Sequence, residues 1–424
     1  MNKEAKYILS NVSSNNNKFW YITLEGTTIN VHNGRVGDAG QHQRPKSFTD
    51  TEAAETFFDK KCLEKEKKGY KKLQVINSNN STTTKKLNEK SLTSVAKSQI
   101  NTGCAITSKL ITYFTKVNTH TILSNTTIQY DTASGTFSTP CGIITSEAIT
   151  DARTILASIS TYVERKRFAS SKYADLLNDY LMLVPQKTGR KLDPEKLYPD
   201  LIAVQQQNDI LDSLEASITS ISNTIKSPIP GNPIEEKIFD VRIEVLKDDK
   251  EKSRIIKKCK DTMQSIHASS ALSPKRVFTI SITGMSKDFE EGSKVGNIQE
   301  LFHGTKSANC LSILKSGLVI PPTNSSHVTG RMFGNGLYFA SSCSKSLNYS
   351  YGYWGGKYDK NCFMFLADVA MGKSYTPKSY TERLPKSGYD STHAKARVSG
   401  VQNDELIVYR TDRCNLKYLI EFTG

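Results

Sequence analysis

The sequence predicts a multidomain α+β protein. A small β-sheet with one helix comes first, then an all-α bundle, then an α+β domain of mainly antiparallel strands. Three observations predict this. The chain has 424 residues, room for two to four domains. Its hydrophobic period is strand-like near the N-terminus, helical in the middle and strand-like again in the last third. Polar or Pro/Gly-rich text falls where the period changes.

Residues 1–78 hold the first sheet. FWYITLEGTTINVHNGRVG reads as strands with turns at Gly26 and Asn33-Gly34. TEAAETFFDKKCLEKEKKGY then reads as a helix, capped by Thr49 or Asp50, with Ala53, Phe57 and Leu63 toward a core. The low-complexity run NSNNSTTTKK introduces a flexible linker over 79–103. Residues 104–228 read as helices. SEAITDARTILASISTYVERK places Ile149, Ala152, Ile155, Ile159 and Tyr162 at three- and four-residue spacing. SPIPGNP closes that region. Residues 229–424 carry the strand-like runs FDVRIEVL, RVFTISI, FMFLADVAM, ELIVY and LKYLIEF, with short helices between them.

Composition narrows the function classes. Hydrophobic residues make up 37% and charged residues 23%, as in soluble globular chains. No apolar run reaches the length of a membrane-spanning helix, and no secretory signal opens the chain. The expected location is the nucleus in a eukaryotic host and otherwise the cytoplasm, without secretion. The eight cysteines are scattered and form no C-x-x-C pair, which argues against a zinc finger or disulfide framework. Net charge is +15, of which residues 1–103 supply +7, so polyanion contact is expected and the N-terminal end is richer in it.

The chemistry concentrates in the last third. LFHGT places His303 after an apolar pair and before Gly304. GRMFGNGLYFA places Tyr338 just after a Gly-x-Gly turn. SKSLNYS adds Ser346 and Tyr349, and NDELIVY places Glu405 at the start of a strand. Each alone is ordinary: a histidine near a strand end is usually structural, and an aromatic in a strand usually packs a core. No Walker-type loop is present and His303 has no companion at metal-ligand spacing, since His327 lies in a Pro/Thr/Ser-rich loop; no metal is expected.

In this order and spacing, the motifs resemble the catalytic domain of the poly(ADP-ribose) polymerase family, with its His-Tyr-Glu triad. The resemblance implies that the chain consumes NAD+. It gives His303, Tyr338 and Glu405 the catalytic positions, and His303, Gly304, Tyr338, Ser346 and Tyr349 the binding of NAD+. Tyr338 and Tyr349 would clamp the nicotinamide ring, Gly304 and Ser346 would hold its carboxamide, and His303 would anchor the adenosine ribose. Glu405 would stabilise the positive charge that grows on the ribose as nicotinamide leaves. In the family, glutamate at this place accompanies polymer extension.

Residues 33–40, NGRVGDAG, resemble the signature of a WGR domain, a DNA-end-binding module, with Asn33 where the signature has tryptophan. This implies a DNA-binding role for Asn33, Arg35 and Arg44. Asparagine cannot stack on a base, so Trp20 and Tyr21 are the nearby rings that could compensate. GIITSEAITDARTILASI and NDYLMLVPQKTGRKLDPEKLYPDLIAVQQQNDILDSLEA resemble the family's regulatory helical domain. The whole layout resembles the short DNA-dependent members. It implies modification of proteins, the chain itself included, with poly(ADP-ribose) in response to DNA strand breaks. Single ADP-ribose transfer, to protein or to a DNA end, and a catalytically silent DNA-end scaffold are the alternatives.

Overall fold

The computed structural model describes residues 2–72, 92–126, 128–130, 137–139, 142–143, 146–186, 188, 192–222, 239–320, 332–352 and 361–424. The NSNNSTTTKK run, the SPIPGNP boundary and His327 lie outside them. The chain is a mixture of α and β structure with mainly antiparallel sheets. It divides into two compact units: residues 1–91 with 120–221, and 92–119 with 222–424.

The first unit begins with β1 (Asn2–Asn11), β2 (Asn16–Glu25), β3 (Thr28–Arg35), β4 (Gln41–His42), β5 (Lys46–Ser47), α1 (Thr51–Lys67) and β6 (Lys71–Lys72). The strands form an antiparallel sheet in the order β4-β3-β2-β1-β6, with β5 also on β3. Gly26, at φ 62°, makes the two-residue turn from β2 to β3, a conformation glycine adopts without a Cβ penalty. Of the two candidate caps, Asp50 is the one used: its carboxylate accepts from the Ala53 N–H at 2.7 Å. The buried stripe of α1 is Ala54, Phe58 and Cys62, at a strict four-residue period, and Leu63 is exposed. Of the expected face (Ala53, Phe57, Leu63), Phe57 packs half-buried against this core, whereas the fully buried positions are the neighbours of Ala53 and Leu63.

Next in the chain come α2 (Leu92–Gln99) and α3 (Ala105–Asn125). Then follow β7 (Gln129–Tyr130), β8 (Phe137–Thr139), β9 (Gly142–Ile143), α4 (Ser146–Glu164), α5 (Ser171–Leu183), α6 (Pro194–Leu197) and α7 (Leu201–Ser222). Ile149, Ala152, Leu156, Ile159 and Val163 of α4 form a buried stripe against Tyr173, Leu177 and Tyr180 of α5 and Leu211 and Leu214 of α7. Arg153 ties α4 to α7 through Asp212 at 2.6 Å and Glu215 at 2.7 Å. The region is not purely helical as expected, because β7, β8 and β9 form a small antiparallel sheet within it.

The second unit contains β10 (Val241–Val245), α8 (Asp249–Asp261), β11 (Ser273–Ile282), α9 (Thr283–Gly292), β12 (Ile298–Gly304), α10 (Cys310–Ser316), β13 (Leu337–Phe339), α11 (Cys343–Tyr351), β14 (Asn361–Ala370), β15 (Ser374–Tyr375), β16 (Ser391–Ala394), β17 (Glu405–Val408) and β18 (Cys414–Thr423). One sheet runs β10-β11-β18-β14-β12 and another β13-β17-β16-β15. They meet where Phe302 and Ala340 exchange backbone hydrogen bonds at 2.9 and 3.0 Å. Residues 92–119 belong to this unit. Asn101 bridges Arg242 of β10, and Phe114 of α3 meets the Phe363 ring edge-on at 4.9 Å.

Candidate active site

The site is built where β12, β13, β17 and α11 converge in the second unit. Phe302 directs both its N–H and C=O outward to Ala340 rather than to β14. Strand alternation then points the N–H and C=O of Gly304, two residues on, out of the same open edge. A donor and an acceptor side by side on a strand edge match the amide of a planar carboxamide. Gly304 is glycine for a packing reason as well. A Cβ there would sit 1.6 Å from the Ser346 carbonyl oxygen of α11.

Between them, the His303 Nδ1 lies 3.0 Å from the Tyr338 carbonyl. A carbonyl only accepts, so Nδ1 carries the hydrogen and Nε2 keeps a lone pair. Burial holds this imidazole below its ordinary value, with the Tyr338 carbonyl opposing, so it is neutral near pH 7. The Tyr338 hydroxyl donates to the Gly334 carbonyl at 2.7 Å and accepts from the Phe333 N–H at 2.9 Å, which fixes its ring. Tyr338 pairs with Ile407 of β17, two residues from Glu405.

Ser346 is buried on α11, and its hydroxyl donates to the Phe302 carbonyl at 3.1 Å. Tyr349 leaves 39% of its surface open. Crowding around its hydroxyl, with the Glu405 charge behind it, pushes that group up to about 12. Glu405 is reached from the same helix: Lys345 Nζ lies 2.7 Å from its Oε1 and 3.1 Å from the Asp404 carbonyl. Both side chains are about 15% exposed. Burial lowers the Lys345 pKa, and the Glu405 carboxylate opposes that shift.

The structure therefore brings His303, Gly304, Tyr338, Ser346 and Glu405 into one connected arrangement, and adds Lys345. Sequence reasoning passed over Lys345, although it stands inside the SKS motif next to Ser346. It also passed over the support behind Glu405. There His393 Nε2 is 2.7 Å from an Asp404 carboxylate oxygen, and the Ala396 N–H donates to the other at 2.9 Å. Among the described residues no cluster of three His, Cys, Asp or Glu side chains is placed to hold a metal.

The other three residues lie in the first unit. Asn33 is half-buried on β3 and accepts from the Gln43 side chain at 2.8 Å, and Arg44 is exposed nearby. Arg35 is turned back: its guanidinium donates to the Asn15 carbonyl at 3.2 Å and side-chain oxygen at 3.0 Å. That oxygen also accepts from the Leu192 N–H at 2.7 Å. Trp20 is 3% exposed, packed on Tyr7 with Lys65 over its ring, so it has no free face for a base. Tyr21 packs on Phe19 at 4.8 Å.

Comparison with known proteins gives two family matches. Residues 249–423 match the family model described as poly(ADP-ribose) polymerase catalytic domain, and residues 6–76 match the WGR domain. Chicken poly(ADP-ribose) polymerase 1 (Gallus gallus) is 30% identical over 316 residues, 66% of this chain and 30% of that protein. Mouse protein mono-ADP-ribosyltransferase PARP3 (Mus musculus) is 26% identical over 480 aligned positions, 97% of this chain and 86% of that protein. A putative poly(ADP-ribose) polymerase-like protein of Invertebrate iridescent virus 6 is 34% identical over 134 residues, 29% of this chain and 70% of that protein. The chain spans less than a third of the length of several curated relatives it matches, the chicken protein among them. With its catalytic-domain and WGR matches and the site assembled at the expected motifs, the chain belongs to the poly(ADP-ribose) polymerase family.

Proposed function

We propose that the chain is an NAD+-consuming ADP-ribosyltransferase, stimulated by DNA breaks, that builds poly(ADP-ribose) on proteins including itself. The observation that carries the transfer chemistry is the open edge of Gly304 beside neutral His303, with the Lys345-held carboxylate of Glu405 in the same site. The Gly304 N–H and C=O take the nicotinamide carboxamide. The fixed Tyr338 ring and the half-open Tyr349 ring enclose its plane. The Ser346 hydroxyl joins by turning from the Phe302 carbonyl. The His303 Nε2 lone pair accepts from a hydroxyl of the adenosine ribose.

In the reaction the bond between nicotinamide nitrogen and ribose C1 breaks, and its electron pair leaves with nicotinamide. Positive charge grows on the ribose, and Glu405 stabilises it in a partly water-excluded site. An acceptor hydroxyl then bonds to C1 and yields its proton toward Glu405. Lys345 holds that carboxylate in place through its 2.7 Å contact.

The helices of 120–221 act as the regulatory element in this reading. They share a compact unit with the WGR domain, tied by Val12 N–H to Asn178 at 2.7 Å and by the Arg35–Asn15–Leu192 chain. A DNA phosphate that recruits Arg35, with Asn33 and Arg44, competes with that tie and loosens the helices. The expected location is the nucleus of a eukaryotic host.

Single transfer is the second reading, favoured by the printed name of the mouse relative that aligns over 97% of the chain. One experiment separates the two: labelled NAD+ with and without nicked or 5′-phosphorylated DNA, resolved on product gels. Long labelled ladders that require DNA are expected, and Glu405→Gln is expected to stop chain growth while NAD+ still binds. A single labelled band, whatever the DNA, establishes the second reading, and label unaffected by DNA removes the activation step.

A further inference from the structure

The segment 372–398 lies on the catalytic unit and is not used by the chemistry above. It holds six cations, Lys373, Lys378, Arg383, Lys386, Lys395 and Arg397, against two acids, Glu382 and Asp390. Both acids are spent on the protein itself. Glu382 accepts from the Tyr375 hydroxyl at 2.6 Å and the Lys378 N–H at 2.5 Å. Asp390 accepts from the Lys373 N–H at 2.9 Å and pairs with Arg413 at 3.6 Å. All six cations are exposed or half-buried, and none is in an ion pair with another described residue.

Tyrosines are interleaved with this charge. Tyr380 is 48% and Tyr389 37% exposed. Lys373 stands 4.7 Å over the Tyr389 ring and Lys386 5.4 Å over the Tyr375 ring, with the two rings edge-to-face at 5.1 Å. Cations without ion pairs, set among part-exposed tyrosines of which Tyr380 is the most open, suit a ligand that alternates phosphates with flat bases. The place of the surface selects among such ligands. Tyr375 is on β15, the outer strand of the sheet that carries Glu405, and Ala394 of β16 pairs with Glu405 itself. Lys395 follows directly, so the basic track starts beside the reacting carboxylate and runs to the sheet edge.

We infer that this track binds the growing ADP-ribose chain behind its reacting end, with its pyrophosphates on the lysines and arginines and its adenines on Tyr380 and Tyr389. The inference rests on the polymer-building reading and adds a holding surface to it. A bound chain stays with the enzyme between additions, so the track lengthens products without touching the transfer step.

The test uses the full chain and a labelled ADP-ribose oligomer of about ten units, supplied ready-made, with binding read by fluorescence anisotropy. Lys373→Ala/Arg383→Ala/Lys386→Ala is expected to weaken binding at least tenfold and to make the log–log salt slope shallower by about 2, one loss of roughly 0.7 per phosphate contact. Tyr380→Ala/Tyr389→Ala is expected to cost about five- to tenfold, as for lost base stacking. Lys373→Arg/Lys386→Arg keeps the charge and is expected to keep the binding, which separates loss of contact from loss of fold. Binding unchanged in the triple variant overturns the inference, and so does equal or tighter binding of oligo(dA) of matched charge. The oligomer is not made by the enzyme, so the two readings fail separately. Oligomer binding without any label from NAD+ sinks the transferase reading alone. Label incorporation with variant-insensitive binding sinks the holding surface alone.

Discussion

The role proposed for Glu405 depends on its neighbours. Its carboxylate is largely buried, and a buried charge is tolerable only when paired. Lys345 supplies the pair from the first turn of α11 and also grips the Asp404 carbonyl. Lys345→Ala leaves the carboxylate uncompensated and free to turn. We expect kcat to fall at least tenfold, KM for NAD+ to change less, and Lys345→Arg to restore part of the loss in steady-state assays. His303 gives a pH prediction. Burial holds it below the ordinary 6.5, and His267, half-buried and near Lys345, is held below it too. As pH falls through 6.5 the unfolded chain takes up these protons before the folded one does, so stability is intact above that value and is lost below it. Melting temperature should therefore drop between about pH 7 and pH 5, and drop less in His303→Gln. A pH profile identical in the two proteins rules this out.

At the scale of elements, the site depends on α11 lying against the edge of β12. The helix delivers Lys345, Ser346 and Tyr349 together, because three- and four-residue spacing places them on neighbouring faces. The fit is close enough that only glycine is accepted at 304. Gly304→Ala must push α11 off the strand or bend the strand itself, at a cost of about 1–3 kcal/mol or more. Denaturant unfolding should show that loss. NAD+ binding should fall further than stability alone accounts for, because the displaced helix carries the ring clamp. A variant with wild-type stability and affinity would mean that the contact is softer than its geometry. The start of β12 is pinned as well: Glu300 accepts from Arg254 at 2.7 and 2.9 Å and from Lys258 at 2.9 Å, which fastens α8 to the strand.

For the whole molecule, the compact units do not coincide with the changes in sequence period. The chain passes from one unit to the other inside α3, between Thr119 and His120. Leu110, Ile111 and Phe114 belong to the core that also contains Phe363, Phe365 and Leu419. Phe114→Ala should thus destabilise the catalytic unit by about 3–5 kcal/mol. Hydrogen exchange should rise in β14 and β18 and stay unchanged in α5. The same logic sharpens a truncation. Removing residues 120–221 should leave a folded, DNA-independent transferase, whereas a deletion starting at 104 strips the catalytic core of α3 and should lose solubility and activity together. Equal behaviour of the two truncations would place that half of α3 outside the core.

Local chemistry made much of this protein legible in its sequence. The LFHGT, LYFA, SKSLNYS and ELIVY motifs each need only their own strand or helix to place a residue, and a glycine turn or period-two strand leaves a local trace. The sequence could also show a lysine beside Ser346, but not that its ammonium spans to Glu405, because that distance is set by how α11 docks on β12 and β14. Nor could it show that Trp20 is sealed under Lys65, that the apolar face of α1 is Ala54, Phe58 and Cys62, or that Arg35 is turned toward Asn15. These are outcomes of packing between segments far apart in the chain. Burial and partner choice depend on what the rest of the fold leaves open, so only the tertiary structure decided them.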